Sequence, residues 1–542
     1  MAETHTPPSE QTPLLETATV QEHESSALSV PRGLLIFISM AFLIFIQTSN
    51  LSLMTTSQSY ISADLDAYTE AIWFTSAHMI AMSSMTPLAG RLSEIFTPRK
   101  YVVFTSSVMA LGLFITGSAP TLAIFLLGRV VSGCGSGGLM TTAIILALQL
   151  SSSKRRGLCI GMISACYTTG LSLGAVLAGL IVPTFGWRLI FWVQAPTALV
   201  IGPILFFAIP APPHDKHPLK KKSLGHSLTR VDYAGALTLI KTLFVVLLLS
   251  SFASPTILIW PIPLSFASLG LFILIESRWA REPILPIKVL STRSVFLTCI
   301  AGLGLMMSRW AILFFAPVYA LSVRLWSPAM AGLILIPTNL GFGLGGLLVG
   351  WIHIRKATSY YVSCLVIYTL FTLSTLSLSV LSTPYSSTFI YVAGLFFNGL
   401  FAGSLMNYSL SHILHLTNIH THFIVTSLVA MSRGFAGSFG SAAGGGFFTR
   451  ILKSRLESGF AHYGLARPDL VRTLLGSPAT VVKLDGLERL VAVESYEHAV
   501  RMLFLAGSGI AMLSTIITAG VGWTPEPDTD DKLQEALVEQ DE

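Results

Sequence analysis

Residues 90–100 read GRLSEIFTPRK, a short charged turn that separates two apolar runs at 71–90 and 101–118. Each run has about the twenty residues that a helix needs to cross the hydrocarbon core of a bilayer. Because no water is available at that depth, only a helix or a closed barrel satisfies its own backbone hydrogen bonds. The stretch from 71 to 118 therefore predicts two membrane-spanning helices joined by a tight charged turn.

Apolar runs of this kind continue along almost the whole chain. Of its 542 residues, 52% are hydrophobic and 11% are charged, whereas globular domains carry about 25% charged residues. This composition argues against a soluble enzyme, a nucleic-acid-binding protein and a secreted disulfide scaffold. We predict an all-α membrane protein with fourteen spans, at 33–54, 71–90, 101–118, 120–149, 157–182, 188–210, 233–252, 256–276, 295–322, 328–351, 359–381, 387–411, 422–449 and 499–522.

The cations between these spans predict the orientation of the chain. Loops that follow even-numbered spans are basic, as at 154–156 and 220–222, whereas the loop at 64–70 on the other side is acidic. Short basic loops remain on the cytosolic side of a membrane. Both termini are therefore predicted to be cytosolic.

The charged turn between spans two and three contains one carboxylate among basic side chains. Such a group can pair with charges at neighbouring helix ends and hold one conformation, although a plain basic loop would look similar. The turn resembles the Gly-x-Leu-x-Asp-x-x-Gly-Arg-Lys-like turn of the major facilitator superfamily, with Glu94 in place of the aspartate and Thr97-Pro98 in place of the glycine turn. The residues that carry the resemblance are Gly90, Arg91, Glu94, Arg99 and Lys100.

Three more stretches resemble the same family. LGRVVSGCG, around Arg129 in span four, resembles its second motif; an arginine inside a span is costly unless it faces the protein interior or water. Gly170, Gly174 and Gly179 in span five resemble the antiporter motif, and such glycines let helices approach closely. GWRLIFWV at 186–193 resembles the start of span six in the fourteen-helix drug:proton antiporter branch.

This resemblance implies a major facilitator fold with 14 transmembrane helices: two six-helix halves plus two inserted helices. The domains expected from it are a disordered cytosolic tail at 1–32, an N-terminal half at 33–210, a basic linker at 211–232, the inserted pair at 233–276, a second linker at 277–294, a C-terminal half at 295–522 with a long non-cytosolic loop at 451–498, and an acidic cytosolic tail at 523–542.

Carboxylates are missing from the predicted bundle. No Asp or Glu occurs between Glu94 and Asp215, or between Glu282 and Glu457. Asn50 stands where the antiporter branch usually carries an aspartate in span one. Lysine or arginine as a substrate would leave its extra positive charge unpaired in such a cavity. A neutral amphiphile, or an organic anion attracted to an arginine in a span, fits this interior better.

Polar and aromatic residues within spans are candidates to line the transport path. His78 can titrate near neutral pH and is a candidate proton carrier. Each of these residues could instead be a packing residue that forms hydrogen bonds between helices. The candidate set is Gln47, Asn50, His78, Arg309, Trp310, Tyr319, Asn339, Asn398 and Asn407.

The function implied by the resemblance is secondary transport, not an enzyme activity, and no phosphate-binding loop for ATP occurs in the sequence. We predict alternating-access export of a drug, toxin or secondary metabolite such as a glycolipid. The expected partners are the lipid bilayer, the small-molecule substrate and, as a candidate coupling ion, protons. We expect no cofactor, no metal and no nucleic acid, and a monomer. A receptor built on a transporter fold is a third interpretation.

A second subgroup, the fungal vacuolar basic amino acid transporters, supplies the main alternative. Glu10, Leu14 and Leu15 form an acidic dileucine pattern in the N-terminal tail, which is typical of vacuolar sorting but also occurs by chance. The sequence leaves the plasma membrane and the vacuolar membrane both open.

Overall fold

The computed structural model describes residues 29–150, 156–210, 257–278, 287–350, 359–417, 421–465 and 467–522, and regular secondary structure in these ranges is helical. The first part of the chain forms long helices separated by short turns. These are α1 (Val30–Asp64), α2 (Ile72–Phe96), α3 (Pro98–Gly117), α4 (Leu122–Leu150), α5 (Arg156–Phe185) and α6 (Arg188–Ala208).

The remaining helices include several short ones. They are α7 (Pro261–Arg278), α8 (Ile287–Leu290), α9 (Arg293–Ser322), α10 (Pro328–Leu333), α11 (Leu335–Leu348), α12 (Tyr361–Leu381), α13 (Thr388–His415), α14 (His422–His462), α15 (Pro468–Gly476) and α16 (Gly486–Ala519), with a 3-10 helix at Pro478–Lys483 between the last two.

Length and composition make this a multi-pass membrane protein. Within the described ranges, ten helices are long and apolar enough to cross a bilayer. The predicted span at 233–252 lies outside the described residues, so the total of fourteen stays a prediction. The sorting residues Glu10, Leu14 and Leu15 also lie outside them.

The helices form two bundles with the same pattern of contacts. In the N-terminal half, α1 packs on α5, α2 on α4, and α3 on both α4 and α6. In the C-terminal half, α9 packs on α14, α11 on α13, and α12 on both α13 and α16. Each half has its own apolar core. The predicted all-α fold of two related six-helix halves is confirmed.

Two ends of the bundle can be named from the loops. We call the end that carries residues 97 and 209–210 the basic end, after the cations near it, and the end that carries residues 65–71 the opposite end. Between the halves, α2 packs on α14, and α5 packs on α10 and α11. This exchange of partners relates the two halves by an approximate two-fold axis, as in transporters built from repeats.

Contacts between α2 and α14 are concentrated toward the opposite end. The hydroxyls of Ser76 and Ser441 lie 3.3 Å apart, and those of Ser83 and Ser438 lie 2.8 Å apart. One turn closer to the basic end, the carbonyl oxygen of Gly434 accepts a hydrogen bond from Ser83 Oγ at 3.4 Å. The described contacts between these two helices therefore lie in the half of α2 that is nearer the opposite end.

Several helices extend past the predicted spans. α1 continues from the predicted end at residue 54 to Asp64, α14 continues from 449 to His462, and α16 begins at Gly486 instead of 499. Bilayer thickness sets the length of a span, whereas a helix ends where its backbone is capped or broken. As a result, most of the predicted loop at 451–498 is helical.

The predicted span at 328–351 is interrupted at Ile334, between α10 and α11. Pro337 follows the interruption by one turn. Its nitrogen has no hydrogen to donate to the carbonyl of Leu333, and its ring crowds that carbonyl. The proline therefore separates one predicted helix into two.

A segment that we call the cap, residues 468–483 of α15 and the 3-10 helix, lies over the opposite end. The carbonyl oxygen of Gly476 accepts hydrogen bonds from Gln58 Nε2 at 3.4 Å and from Ser62 Oγ at 3.2 Å. Arg472 forms an ion pair with Asp66 at 3.2 Å. The cap belongs to the C-terminal half along the chain and bonds to the N-terminal half, so it helps to hold the opposite end closed.

Candidate functional site

Arg129 is fully buried and connects three helices of the N-terminal half. Its Nε donates to the carbonyl oxygen of Phe74 on α2 at 2.7 Å, and its Nη1 donates to Oδ1 of Asn50 on α1. Gly133, one turn further along α4, makes this approach possible, because a Cβ there would lie 2.5 Å from the carbonyl oxygen of His78. The arginine thus lies in the protein interior, where a charge within a span is tolerated.

A network of amides continues from Asn50 to α6. Asn50 Nδ2 donates to Oε1 of Gln194 at 2.9 Å, and Gln194 Nε2 donates to Ser49 Oγ at 3.4 Å. Gln194 is absent from the residues selected by sequence. A lone amide in an otherwise apolar span is the signal that could have identified it.

His78 on α2 adjoins the same network. Its Nδ1 lies 3.1 Å from Ser132 Oγ, which donates to the carbonyl oxygen of Arg129 at 3.0 Å. In the described structure, His78 Nε2 and Gln47 Oε1 are buried without a hydrogen-bond partner. The N-terminal half therefore presents one titratable ring nitrogen and one amide oxygen that are free to bind.

Arg309 on α9 is a buried cation of the C-terminal half, with 4% of its surface exposed. Its Nη2 donates to Asn339 Oδ1 at 3.1 Å and its Nη1 to Thr338 Oγ1 at 3.4 Å, both on α11. The guanidinium carbon lies 4.3 Å from the centre of the Phe342 ring, a favourable cation–π distance. Tyr167 of α5 interacts with Arg309 electrostatically from the other half.

Trp310 follows Arg309 and lies at the interface between the halves. Its ring stacks on Phe314 at 5.4 Å between centroids. A Cβ on Gly437 would lie 3.3 Å from the Trp310 ring and 2.3 Å from the terminal methyl of Met79. Because Gly437 on α14 has no side chain, Trp310 of the C-terminal half has room to approach α2 of the N-terminal half.

Arg433 on α14 is another arginine within a predicted membrane span. It donates to Ser409 Oγ at 2.7 Å and to the carbonyl oxygen of Met406 at 3.3 Å. In the parts of the chain that the structure covers, the ion pairs found, such as Arg188 with Asp64 at 2.6 Å, do not reach Arg129, Arg309 or Arg433. The hydrogen-bond partners described for these three charges are neutral dipoles.

The other candidate residues lie in contacts within the C-terminal half. Tyr319 Oη donates to the carbonyl oxygen of Thr383 at 2.8 Å near the opposite end. Asn398 Nδ2 donates to Ser374 and Thr375 at 3.0 Å, and Asn407 Nδ2 donates to Gly346 at 2.6 Å. These bonds hold neighbouring helices together, and a role of the three residues in the path stays a prediction.

The charged turn lies where α2 ends and α3 begins. Thr97 adopts φ = 67°, a left-handed conformation that favours glycine, at the position where the resembling motif has its glycine turn. Arg99 Nε donates to the carbonyl oxygen of Phe206 at 2.5 Å, and its guanidinium lies 4.1 Å from the Phe206 ring. Lys100 is exposed. Gly90, Arg91 and Glu94 lie in the last turns of α2, and their role as a conformational gate stays a prediction.

The three glycines of α5 make two different contacts. A Cβ on Gly170 would lie 2.0 Å from Thr48 Oγ1, and one on Gly174 would lie 2.5 Å from Ser49 Cα, so both pack α5 on α1. A Cβ on Gly179 would lie 2.6 Å from the backbone at 328–329 on α10. Gly179 therefore joins the two halves at the opposite end, whereas the other two act within one half.

Two helical bundles with polar groups and close glycine contacts between them form the architecture of membrane transporters built from repeats. The family model of the Major Facilitator Superfamily matches residues 37–441, and the chain belongs to that superfamily. It is a multi-pass membrane transporter, as its motifs predict.

Fungal proteins are among its relatives. The MFS-type transporter TwmF of Talaromyces wortmannii is 26% identical over 503 residues, which cover 89% of each chain. The MFS-type efflux pump LUC4 of a Fusarium species is 25% identical over 60% of this chain and 58% of its own. Vacuolar basic amino acid transporter 1 of Saccharomyces cerevisiae is 27% identical over 61% of this chain and 58% of its own.

Solved structures share the fold at low sequence identity. A bacterial homologue of the human lysosomal transporter Spinster, in an inward-facing and unoccupied conformation, superposes with a TM-score of 0.63. The match covers 92% of this chain and 100% of that one at 12% identity.

Proposed function

We propose that this transporter exports an amphiphilic organic molecule, such as a drug, toxin or secondary metabolite, from the cytosol. The observation that carries the proposal is the charge of the interior. Arg129, Arg309 and Arg433 lie among neutral partners, and no Asp or Glu occurs between residues 95 and 214 or between 283 and 456. Such an interior favours an uncharged or acidic substrate.

The same charges disfavour a basic amino acid. A lysine or arginine substrate entering this interior would lose most of its hydration without gaining a carboxylate partner. Its side-chain cation would also be repelled by the buried guanidinium groups in a medium of low dielectric constant. The name of the yeast relative supports the vacuolar alternative, whereas the name of the Fusarium relative supports efflux.

The direction of transport follows from the charge of the loops and the closure of one end. Basic connections predict that the basic end faces the cytosol. The cap contacts and the Ser76–Ser441 contact close the opposite end. This conformation is suited to accept a substrate from the cytosol, at either the plasma membrane or the vacuolar membrane.

Uptake into sealed proteoliposomes tests this function. With an acidic interior, vesicles containing the protein are expected to take up phenylnaphthylamine or anilinonaphthalene sulfonate, two amphiphiles with the same aromatic skeleton, above the level of protein-free vesicles. A protonophore should remove the difference. Radiolabelled lysine should enter at the protein-free rate. Saturable lysine uptake that the protonophore abolishes would contradict the proposal and favour the basic amino acid alternative.

His78→Ala is expected to uncouple transport from the proton gradient. His78 Nε2 is buried without a partner, and a histidine can exchange a proton near neutral pH. Uptake by this variant should fall to the level measured with a protonophore, while exchange across vesicles without a gradient continues. His78→Gln should behave in the same way if alanine impairs folding.

His412→Ala is the matched control, because His412 is a buried histidine at the basic end whose Nε2 lies 3.1 Å from the carbonyl oxygen of Gly522. It should keep full coupling. If both His78 variants remain fully driven by the gradient, another group carries the proton.

A further inference from the structure

Arg309 and its neighbours form a group of hydrogen-bond donors that faces the interface of the two halves. Arg309 is buried and bonded to neutral oxygens of Thr338 and Asn339. Asn339 is 2% exposed, and its Nδ2 has no partner among the described residues. Tyr167 packs against the cores of both halves and interacts with Arg309.

These groups share one chemical property. The guanidinium N–H groups, the free amide N–H₂ of Asn339 and the phenol of Tyr167 can all donate hydrogen bonds. A buried cation without a carboxylate partner is unfavourable by itself. An anion bound here would neutralise that charge and accept the unused donors, and charge-assisted hydrogen bonds of this type are among the strongest in proteins.

The position is also suited to a molecule that must contact both halves. Arg309 lies on α9 and Asn339 on α11 of the C-terminal half, whereas Tyr167 lies on α5 of the N-terminal half. The aromatic ring of Phe342 lies 4.3 Å from the guanidinium carbon, and Trp310, the next residue on α9, stacks on Phe314. They offer an apolar surface to the body of an amphiphile whose acidic group binds Arg309.

The two other arginines within the spans, Arg129 and Arg433, have their described hydrogen-bond partners in their own half. Arg129 is fully enclosed and bonds to Phe74 and Asn50 of its own half. Arg433 bonds to Ser409 and Met406 of its own half. Among the described residues, Arg309 is the one of the three with an electrostatic partner in the other half, Tyr167.

We propose that Arg309, Asn339 and Tyr167 form an anion subsite that binds the acidic group, a carboxylate or sulfonate, of the transported amphiphile. This inference rests on the proposed export function and narrows its substrate class. The acidic group brings α5 and α9 together around one charge, so the subsite couples substrate binding to the interface between the halves.

Two dyes that differ by one charged group test the subsite. Anilinonaphthalene sulfonate carries a sulfonate, and phenylnaphthylamine is the uncharged molecule without it. Wild-type proteoliposomes are expected to transport the sulfonate. In Arg309→Gln its transport should fall roughly tenfold or more, the effect of losing hydrogen bonds to a charged group, while phenylnaphthylamine transport changes less than about twofold. Tyr167→Phe and Asn339→Leu should show smaller losses of the same kind.

Control variants separate an anion subsite from a packing role. Arg433→Gln removes a membrane-embedded arginine of the same half and should leave the ratio of the two transport rates unchanged. Arg309→Lys keeps the charge and should restore part of the sulfonate transport. Transport of the uncharged dye reports that each variant is folded and moves between its conformations.

The remaining outcomes overturn the inference in distinguishable ways. If Arg309→Gln lowers transport of both dyes equally and Arg309→Lys does not help, Arg309 has a packing role. If the wild type transports phenylnaphthylamine but not the sulfonate, export stands and the anion subsite does not. If the wild type transports neither dye, the proposed function fails and the inference fails with it.

Discussion

Gly179→Val is expected to lower transport at least tenfold without unfolding either half. At Gly179 a Cβ would lie 2.6 Å from the backbone nitrogen of Ala329 and from the carbonyl group of Pro328. Backbone atoms cannot move aside as a flexible side chain can, and overpacking of this kind costs about 1–3 kcal/mol. Because the contact joins α5 to α10, the substitution destabilises the conformation in which the opposite end is closed. Alternating access requires this conformation in every cycle.

Two measurements check this expectation. Uptake into proteoliposomes measures the loss of transport, and hydrogen exchange at 468–483 measures the opening of the opposite end, since the cap bonds to the N-terminal half only when that end is closed. Gly343→Val is the matched control, because Gly343 lies in α11 with open space around it, and it should keep transport within about twofold of wild type. Normal uptake by Gly179→Val would show that Gly179 is not part of the interface that moves during transport.

Arg129→Ala is expected to abolish most transport and to lower the melting temperature. The substitution removes the donors to Phe74 and Asn50, so α4 loses its bonds to α2 and α1. Each hydrogen bond to a charged group contributes about 1.5–3 kcal/mol, and buried acceptors left without donors add to the loss. Removal of the unpaired charge offsets part of this cost, so the stability should fall less than the lost bonds suggest, while transport falls at least tenfold.

Two other substitutions test the reason for this effect. Arg129→Lys should recover little, because one ammonium group cannot reach both acceptors as the guanidinium fork does. Asn50→Asp places a carboxylate beside Nη1 of Arg129 and should raise the melting temperature by pairing the buried charge. Uptake and thermal melting are the two measurements. If Arg129→Ala retains wild-type values of both, the arginine neither connects these helices nor contributes to transport.

Much of the helical architecture is predictable from the sequence. Where the prediction fails, the failure has a physical cause. The runs at 101–118 and 188–210 match α3 and α6 closely, because bilayer thickness sets the length of an apolar helix. The predicted end of α1 at residue 54 lies ten residues before the observed end at Asp64. The helix continues beyond the apolar run because Leu51–Asp64 contains no proline or glycine. Pro337 causes the interruption at Ile334. A search for apolar runs of bilayer length does not take the effect of a proline into account.

The candidate path was identified in part. Asn50, His78, Arg309 and Asn339 were found because polar side chains within spans are costly unless they have a function or a partner. Gln194 and Tyr167 were missed: Gln194 has a sequence signal, a lone amide in an apolar span, whereas only the neighbours of Tyr167 in the structure indicate a role. The cap was also missed, because nothing in residues 468–483 by themselves specifies contact with Gln58 and Ser62.

The sequence by itself determined the class of this protein: its membrane location, its all-α fold, its family motifs and an interior without carboxylates. These properties follow from local composition, because the bilayer acts on each segment separately. Only the tertiary structure decided that Gly179 joins the halves while Gly170 packs within one, and that Tyr167 lies near enough to Arg309 for an electrostatic interaction. Such contacts join residues far apart in the chain, and they depend on how whole helices pack against one another.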